Sequence, residues 1–193
     1  MLMKESVSAI ILAGGQGARM NFKNKGLLSM QGKSLIEHVI ERLKDQVDDI
    51  IISANNNLAE YRALGFTVVT DESKSVGPLS GMYAGAFVAK HPLVLVVPCD
   101  MPYLPKNLVS TLGPHLNARA ISIFAHDRVQ PLVSLIEREA LKGIKHYLDD
   151  GGRSVMGWLE EINAGVLNWD TAEQKAFQNI NSLAELAALE QDG

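Results

Sequence analysis

A three-layer α/β domain with a mostly parallel sheet and helices on both faces is the fold class this sequence predicts, and three observations predict it. Short apolar runs over 7–12, 49–54 and 93–97 have the β-branched richness of strands buried on both faces. Segments with helical periodicity or helix-start signals alternate with them, which implies parallel pairing through right-handed crossovers. Each run ends in residues that break regular structure or carry polarity: Gly14-Gly15-Gln16-Gly17 after the first, Asn55-Asn56-Asn57 after the second, Pro98-Cys99-Asp100 after the third.

Taken in order, the glycine loop is followed by a short extended piece over 26–30, ended by the turn signal Gln31-Gly32. Ser34-Leu35-Ile36-Glu37 reads as a capping box, and Leu35, Ile36, Val39, Ile40 and Leu43 then share one helix face. The strand over 49–54 follows. A short helix over 59–64 is ended by Gly65 and leads into a strand over 66–69. Gly77-Pro78-Leu79-Ser80-Gly81 opens a helix that runs to about Ala89, ahead of the third apolar strand. Beyond Asp100 the pattern predicts helices over 106–112, 138–148 and 154–162, and strands over 120–125 and 131–136. The helix over 138–148 is stopped by Asp149-Asp150-Gly151-Gly152, and Ser182-Leu183-Ala184-Glu185 is a second capping box that starts a last helix. No linker composition divides the chain, so residues 1–193 are expected to form one domain.

Length and composition narrow the function classes. A chain of 193 residues with 47% hydrophobic and 21% charged residues is ordinary globular material. A formal net charge of -4 disfavours general nucleic-acid binding but leaves room for a local basic pocket. Cys99 is the only cysteine, so neither a disulfide framework nor a cysteine metal site is available. The five histidines are scattered without metal-ligand spacing. No run reaches the length of a membrane span and no signal segment is visible, so a cytoplasmic protein without membrane partners is expected.

The chemistry concentrates at the strand ends. Glycines allow positive φ and close approach, so successive N–H groups of the 14–17 loop can point at an anion. Arg19 and Lys25 would add a planar fork and a point charge, and the simplest ligand for that set is a triphosphate. The loop has neither the G-x-x-x-x-G-K-[ST] order of a P-loop nor the G-x-G-x-x-G of a dinucleotide fold. It can also be read as a plain glycine turn with two solvated cations; its position directly after an apolar strand favours the anion site.

Open parallel sheets bind ligands beyond the carboxyl ends of their strands. Asp100 lies at such an end, where a carboxylate can hold magnesium together with phosphate oxygens. It can equally cap a turn before Pro102; the apolar run behind it favours metal binding, because a charge beside such a core needs a partner. Asp71 follows a strand as well, and Ser53 and Asn55 sit at the end of the 49–54 strand; ligand contact and simple turn formation remain open for Asp71 and Asn55. Trp158 and Trp169 read as packing, and Cys99 as a small buried hydrophobe. No serine, cysteine or histidine arrangement suggests a covalent nucleophile. What remains is a site that positions phosphorylated groups and neutralises developing charge.

At this point the sequence resembles the molybdenum cofactor guanylyltransferase family of nucleotidyltransferases. The similarity is carried by Leu12-Ala13-Gly14-Gly15-Gln16-Gly17-Ala18-Arg19-Met20, Lys25-Gly26-Leu27-Leu28, Gly32-Lys33, Gly77-Pro78-Leu79-Ser80-Gly81, Pro98-Cys99-Asp100-Met101-Pro102 and Asn179-Ile180-Asn181. The resemblance implies a Rossmann-like nucleotidyltransferase domain, with a nucleotide-binding half over 1–112 and an acceptor-binding half over 113–193. It implies transfer of GMP from GTP to the terminal phosphate of molybdenum-bound molybdopterin, with release of pyrophosphate. Leu12, Ala13, Gly14 and Gly15 would lie against the nucleotide and its phosphates. Arg19, Lys25 and Asp100 would be catalytic, and Ser53, Asn55 and Asp71 would flank the guanosine. Asp100 would hold Mg2+, and molybdenum-insertion and molybdoenzyme-maturation proteins would be transient partners. Arg153 and the loop over 126–130 are candidates to receive the pterin. Asn24 stands where the family usually carries aspartate, a change expected to be tolerated. Rival readings are a cytidylyltransferase, a sugar-phosphate nucleotidyltransferase, or a non-catalytic nucleotide- or cofactor-binding protein.

Overall fold

The computed structural model describes residues 6–14, 24–71, 77–116, 118–169, 175–180 and 185–186. At its centre is β1 (Val7–Leu12), paired in parallel with β4 (Asp49–Ser53) on one side and β6 (Leu93–Pro98) on the other. β5 (Thr67–Val69) extends the parallel half beyond β4. The sheet then turns over. β8 (Arg128–Glu137) runs antiparallel to β6 and to β7 (Ala120–Ala125), and β9 (Gly165–Asn168) closes the far edge parallel to β7. The order across the seven strands is β5-β4-β1-β6-β8-β7-β9.

Alternation along the central strands builds two cores. Ala9 and Ile11 of β1, with Leu95 and Val97 of β6, face α1 (Leu35–Leu43), α2 (Leu58–Ala63) and α4 (Leu108–Leu112). Ile10, Val94 and Val96 face the other way, toward α3 (Pro78–Val88), α5 (Arg138–Lys142), α6 (Ile144–Asp149) and α7 (Val155–Glu161). Burial on both faces is why these strands read as continuous apolar runs. The result is a three-layer α/β domain of the expected class.

The capping box at α1 forms: the Ser34 N–H donates to Glu37 Oε2 at 2.7 Å, and the Ser34 hydroxyl to the same oxygen at 2.6 Å. The second expected box, at Ser182, lies outside the described residues.

Several expectations need correction. Residues 25–27 form a 3-10 turn rather than extended chain, and only Ser29–Met30 (β2) pairs, with Lys33–Ser34 (β3) across Gln31 and Gly32, both at positive φ. The strand expected over 131–136 begins at Arg128, and the one over 120–125 is joined to it by His126-Asp127, with φ of 54° and 58°. Two left-handed residues in succession make the tight hairpin turn that matches strand twist. A bulge follows, where pairing jumps from Ser122↔Ser134 to Ile123↔Gln130. The Ser122 hydroxyl bridges it, donating to the carbonyls of Gln130 at 2.9 Å and Val133 at 3.2 Å. The helix expected over 138–148 is broken into α5 and α6 at Gly143, the one over 106–112 begins at Leu108, and β9 was not expected at all.

Candidate active site

The parallel half of the sheet points four strand ends the same way, and the candidate residues sit on them. Gly14 lies two residues past β1, Asn55 two past β4, Asp71 two past β5, and Asp100 two past β6. The chain reverses between neighbouring crossovers here, and such switch points leave a crevice outside the carboxyl ends. Backbone bonds fix the floor: the Ala13 N–H donates to the Ser53 carbonyl at 2.8 Å, and the Cys99 N–H to the Leu12 carbonyl at 3.1 Å.

The charged centre is the ion pair between Lys25 and Asp100, whose side chains are 23% and 10% exposed. Asp100 is held from a second direction. The Asn179 amide donates to its two oxygens at 3.3 and 3.4 Å, and the Ile180 N–H donates to its backbone carbonyl at 3.0 Å. The carboxylate therefore has a fixed orientation and an ionised partner within reach, which offsets the cost of its burial.

A second polar pair lies at the ends of β4 and β5. Asn55 Nδ2 donates to Asp71 Oδ2 at 3.0 Å, and the Asp71 N–H returns a bond to Asn55 Oδ1 at 3.1 Å. Among the described residues Asp71 Oδ1 is buried without a hydrogen-bond partner, a position that a ligand N–H or O–H would satisfy. Ser53 is almost fully buried, and a methyl group on Gly81 would come within 2.5 Å of its hydroxyl. Its side chain therefore lies under α3, while Asn55 stands at the strand end.

Cys99 is buried beside these groups; desolvation first, and the Asp100 charge second, push its thiol up to about 12. It is a neutral packing group, as expected. Trp158 is buried in the second core, and Trp169 packs edge-on against Phe177 with ring centroids 5.3 Å apart.

The remaining expected residues distribute plainly. Leu12, Ala13 and Gly14 line the end of β1, whereas Gly15 and Arg19 lie outside the described residues. In the second half, the hairpin at His126 reaches the same end of the sheet as Asp100, since β7 runs parallel to β6. His126 Nε2 lies 2.5 Å from the Ala176 carbonyl, which ties the hairpin to the segment carrying Asn179. Arg153 donates to the carbonyls of Leu148 at 2.7 Å and Gly152 at 2.5 Å, so part of its guanidinium is used to end α6. The sequence marks Asn179 only as part of a motif shared with the family and gives it no role, because its link to Asp100 spans 79 positions.

Three parallel crossovers, a glycine-lined strand end and a lysine–aspartate pair at a switch point define a nucleotidyltransferase-type α/β domain. The model for the MobA-like NTP transferase domain matches residues 9–162, and the chain belongs to that family. It is 38% identical to a molybdenum cofactor guanylyltransferase of Haemophilus influenzae over 188 residues, covering 95% of this chain and 97% of the relative. It is 36% identical to one from Cupriavidus taiwanensis, with 98% and 99% covered. Among solved structures, molybdopterin-guanine dinucleotide biosynthesis protein A from Archaeoglobus fulgidus shares the fold at a TM-score of 0.78 and 22% identity, over 96% and 97% of the two chains.

Membership of a nucleotidyltransferase family implies a divalent cation, and the residues present fit one. Among the described residues no group of three or more His, Cys, Asp or Glu converges, so the described part of the protein builds no complete metal cage. Asp100 offers a fixed, hard oxygen at the end of β6. One carboxylate, with substrate phosphate oxygens and water completing the shell, is how phosphate-bound cations are held. No helix among the described residues is long and apolar enough to cross a membrane.

Proposed function

We propose that the protein is a molybdenum cofactor guanylyltransferase, which transfers GMP from GTP to the terminal phosphate of molybdenum-bound molybdopterin. The observation that carries the reading is the Lys25–Asp100 pair at the switch point of a chain similar over 95–98% of its length to enzymes of that name. The residues over 1–112 hold the nucleotide, and those over 113–193 form the acceptor half. Leu12, Ala13, Gly14 and Gly15 lie along the nucleotide. Asn55 and Asp71 face the guanosine, with Asp71 Oδ1 accepting from the ligand; Ser53 supports this wall through its backbone and its packing under α3.

In the reaction a phosphate oxygen of the pterin attacks the α-phosphorus in line. The new P–O bond forms as the bond to the bridging oxygen breaks, and pyrophosphate departs with that electron pair. Lys25 and Arg19 stabilise the charge that gathers on the leaving group. Asp100 holds Mg2+, which when bound neutralises phosphate oxygens. Asn179 keeps the Asp100 carboxylate turned toward that position. Use of GTP and the absence of a disulfide framework support a cytoplasmic setting. Molybdenum-insertion and molybdoenzyme-maturation proteins are the transient partners this chemistry calls for, since the product cofactor must be handed on.

A thermal melt with GTP, CTP, ATP or UTP in the presence of magnesium tests the reading first. A ligand that binds only the native state raises stability by RT ln(1 + [L]/Kd), so preference is read directly. A shift with GTP alone is expected, followed by pyrophosphate release when the pterin acceptor is added. A shift with CTP in place of GTP would replace the reading with a cytidylyltransferase, and no shift with any nucleotide would overturn it.

A further inference from the structure

Tyr61 is the largest polar side chain of the first core and has no place in the reaction described above. It is 0% exposed, on α2, and its hydroxyl donates to Asn24 Oδ1 at 2.5 Å. Burial raises its pKa well above the ordinary tyrosine value, so it stays a donor wherever the protein is folded. Asn24 immediately precedes the 3-10 turn Lys25–Leu27, and the Leu27 N–H donates to the Asn24 carbonyl at 3.1 Å. The Asn24 amide is also held from its other end, donating to Asn57 Oδ1 at 3.4 Å, just ahead of α2.

The turn rests on the same tyrosine. A methyl group on Gly26 would come within 2.7 Å of the Tyr61 hydroxyl, 3.1 Å of Cys99 Sγ and 3.3 Å of Cys99 Cβ. The turn thus contacts α2 on one side and the residue before Asp100 on the other. Both halves of the ion pair are seated on one buried cluster: Lys25 through Asn24 and Gly26, Asp100 through Cys99.

We propose that Tyr61 is a positioning residue for Lys25, its buried hydroxyl setting the direction of the lysine through Asn24. This rests on the reading of Lys25 as the group that stabilises the departing pyrophosphate. An interaction that matters only as charge develops lowers kcat and kcat/KM together, leaving ground-state binding alone. The asparagine at 24 serves because Tyr61 needs only an acceptor there, which asparagine and aspartate both supply.

The test measures kcat and KM for GTP in Tyr61→Phe, Asn24→Leu and Asn24→Asp, each checked for a cooperative melt. Tyr61→Phe and Asn24→Leu are expected to lower kcat about tenfold with KM changed less than threefold. Asn24→Asp, which keeps the acceptor, is expected to stay within threefold of the parent; a rise of tenfold or more would overturn the account of Asn24. In a Lys25→Ala background, Tyr61→Phe should cost nothing further. Additive losses there would mean that Tyr61 acts only through general stability, and the proposal would fail.

A substrate-free readout separates this from the activity reading. The Lys25 ammonium nitrogen resonance, assigned by its loss in Lys25→Arg, is expected to shift toward the value of exposed lysines in Tyr61→Phe. An unmoved resonance overturns the positioning role. A parent protein that releases no pyrophosphate overturns the activity reading and leaves the resonance to decide the role of Tyr61.

Discussion

Gly85 of α3 should be among the least replaceable glycines of the fold, and the cost of replacing it can be worked out. A Cβ at this position would lie 2.5 Å from Ile10 Cδ1, 2.8 Å from Cγ1 and 3.1 Å from Cγ2. Carbon atoms pack best at about 3.5–4.0 Å, so roughly 1 Å of clearance is missing. Ile10 has little room to turn aside, because it is 0% exposed on the central strand with neighbours on both sides. Helix α3 must therefore lift off the sheet. Overpacking of this kind costs about 1–3 kcal/mol. The better helix propensity of alanine returns roughly 1 kcal/mol. A net loss of about 1 kcal/mol is expected, which lowers the melting temperature by about 2–4 °C in a chain of this size.

The lift also moves the amino end of α3, where Gly81 packs on Ser53 and Leu12 at the ends of β4 and β1. A shift of about 1 Å in a positioned group can cost on the order of 100-fold in rate. Turnover of Gly85→Ala should accordingly fall by about ten- to 100-fold, read by pyrophosphate release beside the melt. Ile10→Val removes the nearest atom, Cδ1, so the double variant should be less impaired than the sum of the single ones. A Gly85→Ala protein as stable and as active as its parent would refute the claim that this helix is seated on the sheet through its glycines.

Three further outcomes are expected. Asp100→Asn should remove divalent-cation-dependent turnover while the protein still melts cooperatively, and unchanged cation-dependent turnover would exclude Asp100 as the metal ligand. Bonds from Ser34 hold the Glu37 carboxyl below its ordinary value of 4.5, so its contribution is present above that pH and lost as pH falls through the folded value. Glu37→Gln should thus flatten the fall in stability between pH 7 and pH 2, read from denaturation curves at the two pH values. The raised Cys99 thiol works in the opposite direction. Its folded value of about 12 stands above 9.0, so stability should fall as pH rises between them, with a shallower fall in Cys99→Ala.

The parts of the fold that could be read from the sequence are those fixed by local rules. Ile50-Ile51-Ile52 and Leu93-Val94-Leu95-Val96-Val97 announce buried strands because both faces demand apolar side chains. Ser34 and Glu37 announce a helix start because the partners lie three residues apart. Strand direction in the second half has no such signature. The hairpin turn is His126-Asp127 rather than the usual Asn-Gly or Asp-Gly, and Pro131 inside the bulge makes the strand look shorter than it is. β9 has only alternate residues partly buried, with Val166 half exposed, so its pattern is weak.

The candidate site divides the same way. Lys25 and Asp100 could be suspected from a glycine loop and an apolar strand end. That they meet, 75 positions apart, belongs to the topology. Tyr61 gave no signal at all, since one tyrosine in a six-residue helix looks like ordinary core.

The bonds from Asn179 and Ile180 to Asp100 set an order in time. A chain is made from its amino end and folds as it emerges. β1, β4, β5 and β6, with the carboxylate they deliver, are all available by residue 100, but the groups that fix that carboxylate arrive only about eighty residues later. They also lie beyond residue 162, where the match to the family model stops. The nascent protein can therefore possess all four parallel strands before the Asp100 carboxylate is locked in orientation. Orientation of the Asp100 carboxylate thus waits on residues far downstream of the strands that present it.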